Sequence, residues 1–581
     1  MSVLAALAEH HDRLRQQGQA PPVGFATVRL GYALVLDRKG RLLGAETLMQ
    51  ETRKGLQPGS CLAPKAPQRV SGIVSGFLWD KSSYVLGVWD VPEGLTAKKS
   101  PARVAREHAA FVDLHLRTLA ETQDPGLRAL HSFLESWSAA DHGDRDLLSR
   151  VSGHNLCFRL SGAAGYLHET PAALELARFR ALADGDLQTG QCMVTGTTGP
   201  LARLHPRIAG LPGSNTTGAS LVSHATPALR SHGALLGENA PVLASRAAAY
   251  GEALNILLAR RAPEDQGGAP QNRIAIGADT LVFWGESREA ETVMRWALGV
   301  AGHDMQGAPE GQGKDLSDEE VWLALVSPNG GRLAVRRAFN MTLGLLLSRL
   351  EAFLEASRLS GPCSGRLDLQ RLCRGLSPQS AAGASPDRWA AELCASILDG
   401  RAPGAGLLRH TVMLISRDQG VSTLRAGLMK ACLLGTGPGG AGEAFGRDWP
   451  RFCRRPAFDL GRIYACLAAL QAWEQGLFSA RRDHDLLSLA SACPAQVLRP
   501  GLLRMDRSLR AVTYSGRTGR PIRIVRALDR LLENIGGRSA LAPTLGLTDR
   551  ALFLIGFHHQ RQELKTPVRG ADPAPEKAGG S

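Results

Sequence analysis

The sequence contains no long apolar run, which argues against a membrane-spanning segment. A spanning helix needs roughly 18 or more consecutive apolar residues. The most apolar stretch of helical length, Leu343 to Leu354, is interrupted by Arg349 and Glu351. The first ten residues also lack the apolar core of a secretory signal. We therefore expect a cytoplasmic protein with no membrane partner.

Paired cysteines are absent as well. The ten cysteines are scattered, and none belongs to a Cys-x-x-Cys motif. This spacing argues against a zinc ribbon and against a thioredoxin-type redox site. Buried, reduced thiols fit a cytoplasmic chain better. We expect no metal site and no cofactor.

Motifs for nucleotide binding and nucleophilic catalysis are missing too. The glycine-rich stretch Gly435–Gly440 lacks the Gly-Lys-Ser/Thr of a phosphate-binding loop, and no Gly-x-Ser-x-Gly occurs. The pair His558-His559 is adjacent on a predicted helix, so the two rings point about 100° apart and do not chelate one ion. We expect one of them to pack and the other to be exposed. These absences favour a binding protein without catalytic residues.

Lysine is scarce, whereas arginine is abundant. Of the 68 basic residues only ten are lysines, and the formal net charge is +14. Residues 445–570 hold 21 basic and 10 acidic residues, a surplus of 11. The planar guanidinium suits phosphate oxygens. A localised basic surplus indicates a nucleic-acid partner, although a soluble surface with no such partner would also carry charge.

The length and the pattern predict an α+β fold with several regions. A chain of 581 residues exceeds the size of one core. The N-terminal half reads as mixed α+β with hairpins and long loops, and the C-terminal half as a helical bundle. We predict an α+β domain over residues 1–340, a helical middle region with a glycine-rich linker over 341–440, a basic helical bundle over 441–566 and a disordered tail over 567–581.

Local patterns predict particular elements. Hairpins are expected where Tyr32–Leu36 and Arg41–Leu43 flank Asp-Arg-Lys-Gly, and where Val321–Val326 and Arg332–Arg336 flank Ser-Pro-Asn-Gly-Gly. The other expectations are listed by type. We predict an exposed loop over 55–68, helical structure over 101–137, a long loop over 201–223, a strand bent at Gly277 over 273–284, and C-terminal helices near 458–475, 484–492, 495–511, 522–535 and 548–564.

An ordered series of short motifs resembles one protein family. The motifs run in chain order over nearly the whole sequence: Pro21–Phe25, Arg69–Ile73, Phe77–Asp80, Tyr84–Gly87, Leu204–Ile208, Gly218–Ser223, Glu238–Val242, Asp279–Trp284, Ser327–Asn329, Arg332, Val335–Arg336, Arg455–Phe458, Leu460–Arg462 and His559–Gln562. Each is weak alone, but together and in this order they resemble the large subunit of the type I-C CRISPR Cascade complex.

The resemblance implies a subunit that binds DNA and leaves cutting to another protein. Its implied partners are a guide CRISPR RNA, target double-stranded DNA, the backbone, handle-binding and small subunits of the complex, and a separate helicase-nuclease. It implies recognition of a short motif that flanks the target, and help in opening the duplex. The family also suggests that the helical C-terminal part is made separately from an internal start, for which Met429 is one candidate.

The expected reader of the flanking motif lies between Arg69 and Lys81. Arg69, Ser71 and Lys81 carry donors for phosphates or base edges, and Gly72 and Gly76 allow close approach of the backbone. Here the chain departs from the family pattern, with Ser75-Gly76 in place of Pro-Asn and Lys81 in place of Asn. Trp79 and Tyr84 belong either to this reader or to the core, and for Trp79 we favour the core.

Two further segments are candidates for contact with a nucleic-acid backbone. The first is a loop rich in small polar residues: Arg207, Ser214, Asn215, Thr216 and Thr217. The second is a pair of arginine stripes at helical spacing: Arg504, Arg507 and Arg510, then Arg523, Arg526 and Arg530. Such stripes suit a displaced single strand. An ordinary surface loop and solvated helix faces are the alternatives, and Arg455 and Arg462 are candidates for pairing within the bundle.

Two other functions stay open at this point. A metal-dependent nuclease would use the cluster Asp483-His484-Asp485, although one such cluster supplies fewer converging ligands than a metal needs. A scaffold that binds only protein would show no affinity for DNA.

Overall fold

A computed structural model describes residues 2–565 with internal gaps. The residues outside the description are 1, 23, 53–54, 68, 70–71, 90–98, 140–143, 184–187, 225–232, 235, 262–270, 300–314, 360–368, 378–387, 419, 435–452, 475–485, 515–519, 538–540 and 566–581. The description also leaves out the side chains of 178–179, 181–183, 473–474, 506–514 and 520–521. The chain divides into two units, Met1–His205 with His224–Ala253, and Pro206–Ser223 with Leu254–Ser581.

The first unit combines three small sheets with helices. Its strands are β1 Phe25–Leu30, β2 Tyr32–Leu36, β3 Leu42–Thr47, β4 Met49–Thr52, β5 Gly55–Pro64, β6 Asp80–Lys81, β7 Asn155–Leu160, β8 Thr189–Gln191 and β9 Thr198–Pro200. Its helices are α1 Val3–Gln16, α2 Ser82–Val85, α3 Pro101–Leu119, α4 Pro125–Ser136, α5 Arg145–Val151, α6 Pro171–Ala183 and the first part of α7 Ala244–Ala259. The strand orders are β1-β5-β4, β3-β2-β7-β6 and β8-β9.

The hairpin predicted around residues 37–40 is confirmed. Strands β2 and β3 pair antiparallel from Tyr32↔Thr47 onward. The Asp37 carboxylate accepts hydrogen bonds from the backbone N–H groups of Lys39 and Arg41, each at 2.8 Å. Gly40 has φ of +81° and lies so close to helix α4 that a Cβ would come within 2.6 Å of the Phe133 nitrogen. The aspartate and the glycine that predicted the turn are therefore the residues that stabilise it.

The loop predicted over residues 55–68 is wrong, because ten of these residues form strand β5 at the centre of a sheet. This strand changes partner along its length. Residues up to Pro58 pair with β4, and residues from Gly59 pair with β1. A Cβ on Gly59 would come within 2.5 Å of the Leu48 oxygen. Pro58 and Gly59 lie where the strand changes partner, and these two residue types are also typical of loops, which is why the sequence predicted a loop here.

Helical structure over residues 101–137 is confirmed, but as two helices. α3 ends at Leu119 and α4 begins at Pro125. The Asp124 side chain caps α4 by accepting from the Leu127 N–H at 2.9 Å, and Pro125 occupies the first turn. An N-cap aspartate followed by proline is a strong helix start, so the break follows from local sequence.

The second unit contains a six-stranded sheet and a large helical part. Its strands are β10 Arg207–Ile208, β11 Ala219–Ser220, β12 Arg273–Ile276, β13 Asp279–Gly285, β14 Glu320–Asn329 and β15 Arg332–Thr342, in the order β10-β11-β15-β14-β13-β12. Its further helices are α8 Arg288–Leu298, α9 Leu343–Ser357, α10 Leu369–Gly375, α11 Arg388–Asp399, α12 Ala405–Asp418, α13 Thr423–Leu434, α14 Pro456–Glu474, α15 Leu487–Ala492, α16 Pro494–Tyr514, α17 Arg520–Asn534 and α18 Leu547–Lys565.

These elements confirm the predicted fold class. The β14–β15 hairpin is present, and within the described residues no strand follows Thr342. The bent strand over 273–284 is corrected to two paired strands, β12 and β13, with Gly277 at φ +62° in the reversal. The loop over 201–223 contains only the short strands β10 and β11 and isolated bridges. The fold is α+β, with the sheets in the N-terminal half and helices in the C-terminal half.

The core of the second unit joins its sheet to its helices. Buried side chains from Ile274 to Phe557 form one continuous cluster. This cluster includes residues on both sides of the predicted boundaries at 340 and 440, and those boundaries stay predictions. At the crossing of α14 and α18 a Cβ on Gly461 would lie 1.9 Å from the Phe553 oxygen, and one on Gly556 would lie 2.1 Å from the Phe458 oxygen. Two glycines therefore allow these helix backbones to touch.

Among the described residues, no helix is both long and apolar enough to cross a membrane. Met429 lies inside helix α13 with its side chain fully buried. The predicted disordered tail, residues 567–581, lies outside the described residues.

Candidate nucleic-acid interface

Arg69, the first residue of the expected reader, is tied into its own unit. Its Nε donates to the Val74 carbonyl at 2.8 Å, and its guanidinium forms an ion pair with Asp80. The same guanidinium lies 4.2 Å from the centre of the Tyr84 ring. Its side chain is 29% exposed, whereas that of Asp80 is 4% exposed. Arg69 therefore shapes the segment more than it offers a free donor.

The rest of the segment is divided between buried and exposed positions. Gly76 is buried, and its N–H donates to Asp80 at 2.7 Å. A Cβ on Gly76 would come within 2.4 Å of the Trp79 oxygen, so only glycine fits there. Gly72 is exposed with φ of +107° and open space around it, and Lys81 is exposed as well. Ser71 lies outside the described residues. The segment thus presents Gly72 and Lys81 outward.

The segment contains one residue with a strained backbone, Leu78, which is held in place by a buried histidine. Leu78 is fully buried and has φ of +62°, a conformation that costs a non-glycine residue on the order of 1–3 kcal/mol. Its N–H donates to His115 Nε2 at 2.9 Å, and the other ring nitrogen of His115 lies 2.7 Å from the Phe111 carbonyl. Burial lowers the pKa of His115 to about 4. A neutral histidine thus accepts the Leu78 N–H and holds the turn.

The interpretation of Trp79 as a core residue is confirmed, and Tyr84, which the sequence left open, is a core residue as well. Trp79 is 7% exposed, and its indole N–H donates to the Pro64 carbonyl at 2.6 Å. Tyr84 is 2% exposed. Both side chains therefore serve packing, and Tyr84 also provides the ring against which Arg69 stacks.

A basic and aromatic cluster beside this segment was missed by the sequence analysis. The Glu107 carboxylate is 1% exposed and accepts from Lys99, Ser83 and Arg103. Burial raises the pKa of Glu107, but these three hydrogen bonds outweigh that effect and lower it. Lys99 Nζ also lies 4.4 Å from the centre of the Trp89 ring. The only local signal was the spacing of Arg103 and Glu107, four residues apart on a helix.

The structure brings the predicted polar loop together at the tip of the β14–β15 hairpin. The Asn215 N–H donates to the Gly330 carbonyl at 3.1 Å, and the Gly218 N–H donates back to the Asn215 carbonyl at 2.8 Å. Ser214 Oγ donates to Leu211, and Arg207 donates to the Gly218 carbonyl at 3.2 Å. Thr216 and Thr217 are exposed. Ser214 to Thr217 thus belong to one ordered turn, and Arg207 of β10 is hydrogen-bonded to its end at Gly218.

The second arginine stripe lies on one exposed face. Arg523, Arg526 and Arg530 of α17 are exposed and, among the described residues, form no ion pair. Two long hydrogen bonds are made from this face, by Arg523 to the Glu563 carbonyl at 3.4 Å and by Arg530 to the Arg526 carbonyl at 3.3 Å. On α16, Arg504 is exposed, whereas the side chains of Arg507 and Arg510 lie outside the description.

Two other arginines pair within the bundle, as one interpretation of the sequence held. The Arg455 guanidinium Nη2 lies 3.0 Å from Asp549 Oδ1 and forms an ion pair with it. Arg462 donates to Gln560 at 2.8 Å and pairs with Glu563 at 3.2 Å. The motifs Leu460–Arg462 and His559–Gln562 therefore meet at the crossing of α14 and α18, where they stabilise the bundle.

The residues considered for metal binding do not form a site in the described part of the chain. No group of three or more His, Cys, Asp or Glu side chains is placed to hold an ion there. His558 is buried, its Nδ1 lies 3.1 Å from the Val421 carbonyl, and burial lowers its pKa to about 4. His559 is half-buried against Phe458 instead of exposed, which corrects that expectation. Asp483, His484 and Asp485 lie outside the described residues, as does Gly435–Gly440.

Comparison with known proteins gives a family. A family model described as CRISPR-associated protein (Cas_Csd1) matches residues 7–565. A search of curated proteins finds no match. Because the family model covers nearly the whole chain, from helix α1 to the end of α18, the chain belongs to the Csd1 family of CRISPR-associated proteins.

Proposed function

We propose that this chain is the non-catalytic large subunit of a type I-C CRISPR surveillance complex in the cytoplasm. In this role it recognises a motif that flanks the target, helps to open the duplex, stabilises the displaced strand and recruits a separate helicase-nuclease. The observation that carries the proposal is the family match over residues 7–565. A guide RNA reads the target sequence by base pairing, so the protein needs only to bind the flank and the backbones.

Charge and exposure support contact with DNA. The net charge is +14, and the exposed face of α17 displays three arginines without ion pairs in the described structure. Such a face neutralises phosphates without reading bases, which suits a displaced single strand. The ordered turn around Asn215 offers Thr216 and Thr217 for the same kind of contact.

The geometry refines the roles proposed for the flanking-motif segment. Arg69 is engaged by Asp80, Val74 and Tyr84, so we assign it a positioning role. Lys81 and Gly72 are exposed, and we assign them the contact with DNA. A lysine ammonium donates hydrogen bonds to phosphates or to acceptor atoms of the bases, and the open space around Gly72 allows the DNA backbone to approach closely.

The proposed partners follow from this role. They are guide CRISPR RNA, double-stranded DNA, the backbone, handle-binding and small subunits, and the helicase-nuclease. Neither a metal nor a cofactor is part of the proposal.

The test measures flanking-motif preference in the assembled complex. The chain is co-expressed with its genomic neighbours and a guide, and binding is measured to duplexes with randomised flanking triplets. Wild type is compared with Lys81→Ala and with a matched control, Lys39→Ala, which lies in the exposed β2–β3 turn. We expect wild type and control to prefer the same triplets, and Lys81→Ala to lose that preference.

Other outcomes separate the parts of the proposal. If the preference survives in Lys81→Ala, the reader lies elsewhere in the chain. If the intact assembly shows no guide-dependent DNA binding, the proposed function fails. Cleavage by the purified chain that requires a divalent ion would instead favour the nuclease hypothesis.

A further inference from the structure

Three arginines lie on one face of the six-stranded sheet, and the strand register places them there. Arg207 of β10 pairs with Ser220 of β11, and Ser220 pairs in turn with Arg332 of β15. Residues paired across strands point to the same side of a sheet. Arg207 and Arg332 therefore flank Ser220 in one row, two strand spacings or about 10 Å apart. Both arginines are exposed.

A β-bulge adds the third arginine to the same face. Asn329, Ser327 and Leu325 alternate along β14 and pair with Arg332, Ala334 and Arg337. In a regular strand, residues five positions apart would point to opposite faces. The register shift between Leu325 and Val326 brings Arg337 to the side of Arg332. We call Arg207, Arg332 and Arg337 the arginine row.

The side chains of the arginine row have few partners within the described structure. Among the described residues, Arg332 and Arg337 have no hydrogen bond or ion pair from their side chains, and Arg207 bonds only the Gly218 carbonyl. The bulged residue Arg336 is different, because it forms a long ion pair with Asp279 at 3.9 Å and a hydrogen bond to Ser327 at 3.3 Å. The bulge thus leaves one arginine paired and turns the next one outward.

We propose that the arginine row binds a phosphodiester backbone, with the turn at Asn215–Thr217 beside it. The inference rests on the proposed function and adds Arg332 and Arg337, to which the sequence had given no role in binding. Guanidinium groups suit phosphate oxygens. The backbone positions of neighbouring arginines in the row are about 10 Å apart across the strands and about 13 Å apart along them, so the three side chains can contact successive parts of an extended phosphodiester chain. The ordered turn is joined to the row by the Asn215–Gly330 and Ser220–Gly331 backbone hydrogen bonds.

A competing role for these arginines is protection of a sheet edge. Within the described residues, β15 beyond Arg332 is paired on one side only, by β14. Charged residues and bulges on such edges prevent strands of other molecules from adding to the sheet. This role predicts self-association when the charges are removed, and no change in binding of nucleic acid.

The test uses the full chain and measures the salt dependence of binding. Fluorescence anisotropy is recorded with a duplex DNA, the matching single strand and an RNA of the same sequence, between about 50 and 200 mM salt. We expect Arg332→Ala with Arg337→Ala to reduce the slope of log affinity against log salt by about two for at least one probe. Arg332→Lys with Arg337→Lys should keep most of the slope, because it keeps the charge.

Matched variants make the outcomes distinct. Arg38→Ala with Arg128→Ala removes two exposed arginines of the first unit and should leave the slope unchanged. The probe with the largest change identifies the bound strand. If wild type binds and the Arg332/Arg337 variant has an unchanged slope, the row does not bind a backbone, and self-association of that variant would assign it to edge protection. If wild type binds none of the three probes, the proposed function fails together with this inference.

Discussion

The segment around Arg69 and the exposed face of α17 use arginine in opposite ways. Arg69 is held by a buried aspartate, a carbonyl and an aromatic ring. Arg526 and Arg530 stand on a helix surface without ion pairs among the described residues. Both looked like candidate DNA contacts in the sequence. The comparison shows that an arginine is a candidate ligand for phosphate only where no acidic side chain of the protein already pairs with its guanidinium.

The two regions also differ in what holds them in place. The segment depends on a strained, buried turn at Leu78, supported by His115. The α17 face depends on a bundle whose central helices touch at Gly461 and Gly556. Substitutions in these supports therefore test the comparison more directly than substitutions in the exposed residues.

The largest effect is expected at the crossing of α14 and α18. A valine at Gly461 would place its Cβ 1.9 Å from the Phe553 oxygen, far inside van der Waals contact, so the helices must move apart. We expect Gly461→Val to lower the free energy of unfolding by about 4 kcal/mol or more. Urea denaturation followed by circular dichroism measures this. Gly404→Val serves as a control, because the nearest atom to a Cβ there is 3.7 Å away. Equal stability of the two variants would show that the crossing is not a close contact.

The next effect sharpens the contrast between Arg69 and Arg526. Arg69→Ala leaves the buried Asp80 carboxylate with only backbone donors from Gly76 and Lys81. We expect a loss of about 2–3 kcal/mol in the free energy of unfolding, since an uncompensated buried charge is costly. Arg526→Ala removes an exposed side chain and should change that free energy by less than about 0.5 kcal/mol. The same urea series on both variants checks the difference, and similar losses would contradict the assigned roles.

How much of this was readable from the sequence depended on the range of the interactions. The turn at Asp37 and the helix start at Asp124 were signalled by neighbouring residues. Strand β5 was missed because its proline and glycine serve a change of partner between two other strands. The binding of Arg69 to Asp80 and Tyr84 also needed the fold, since those partners are 11 and 15 residues away in sequence.

The candidate site shows the same limit. Helical spacing was sufficient to place Arg523, Arg526 and Arg530 on one face of α17. The arginine row was beyond local reading, because it needs the pairing of three strands and the bulge opposite Leu325. A register error of one residue reverses the face on which a side chain lies, so the sequence alone does not say which of Arg336 and Arg337 pairs with Leu325 and joins the row.

The smallest effect concerns pH and separates the two regions once more. His115 is fully buried, its pKa is lowered to about 4, and the nearby charge of Arg180 acts in the same direction. Below the ordinary histidine pKa of about 6.5 the unfolded chain binds a proton that the folded chain does not, so stability falls as pH decreases from 6.5 towards 4. For this one group the loss at pH 5 is about 2 kcal/mol. Other buried histidines, including His558, add to the total.

The contribution of His115 is isolated by difference. Urea denaturation at pH 7 and pH 5 is compared for wild type and His115→Gln, in which an amide oxygen is available to accept the Leu78 N–H. We expect the variant to lose less stability than wild type between the two pH values, by about 2 kcal/mol, because glutamine does not titrate. Arg526→Ala should follow the wild-type pH dependence. If His115→Gln follows it too, His115 is already solvated or protonated in the folded chain. Its support of the Leu78 turn would then come from the packing of its ring against Phe77 and Phe111.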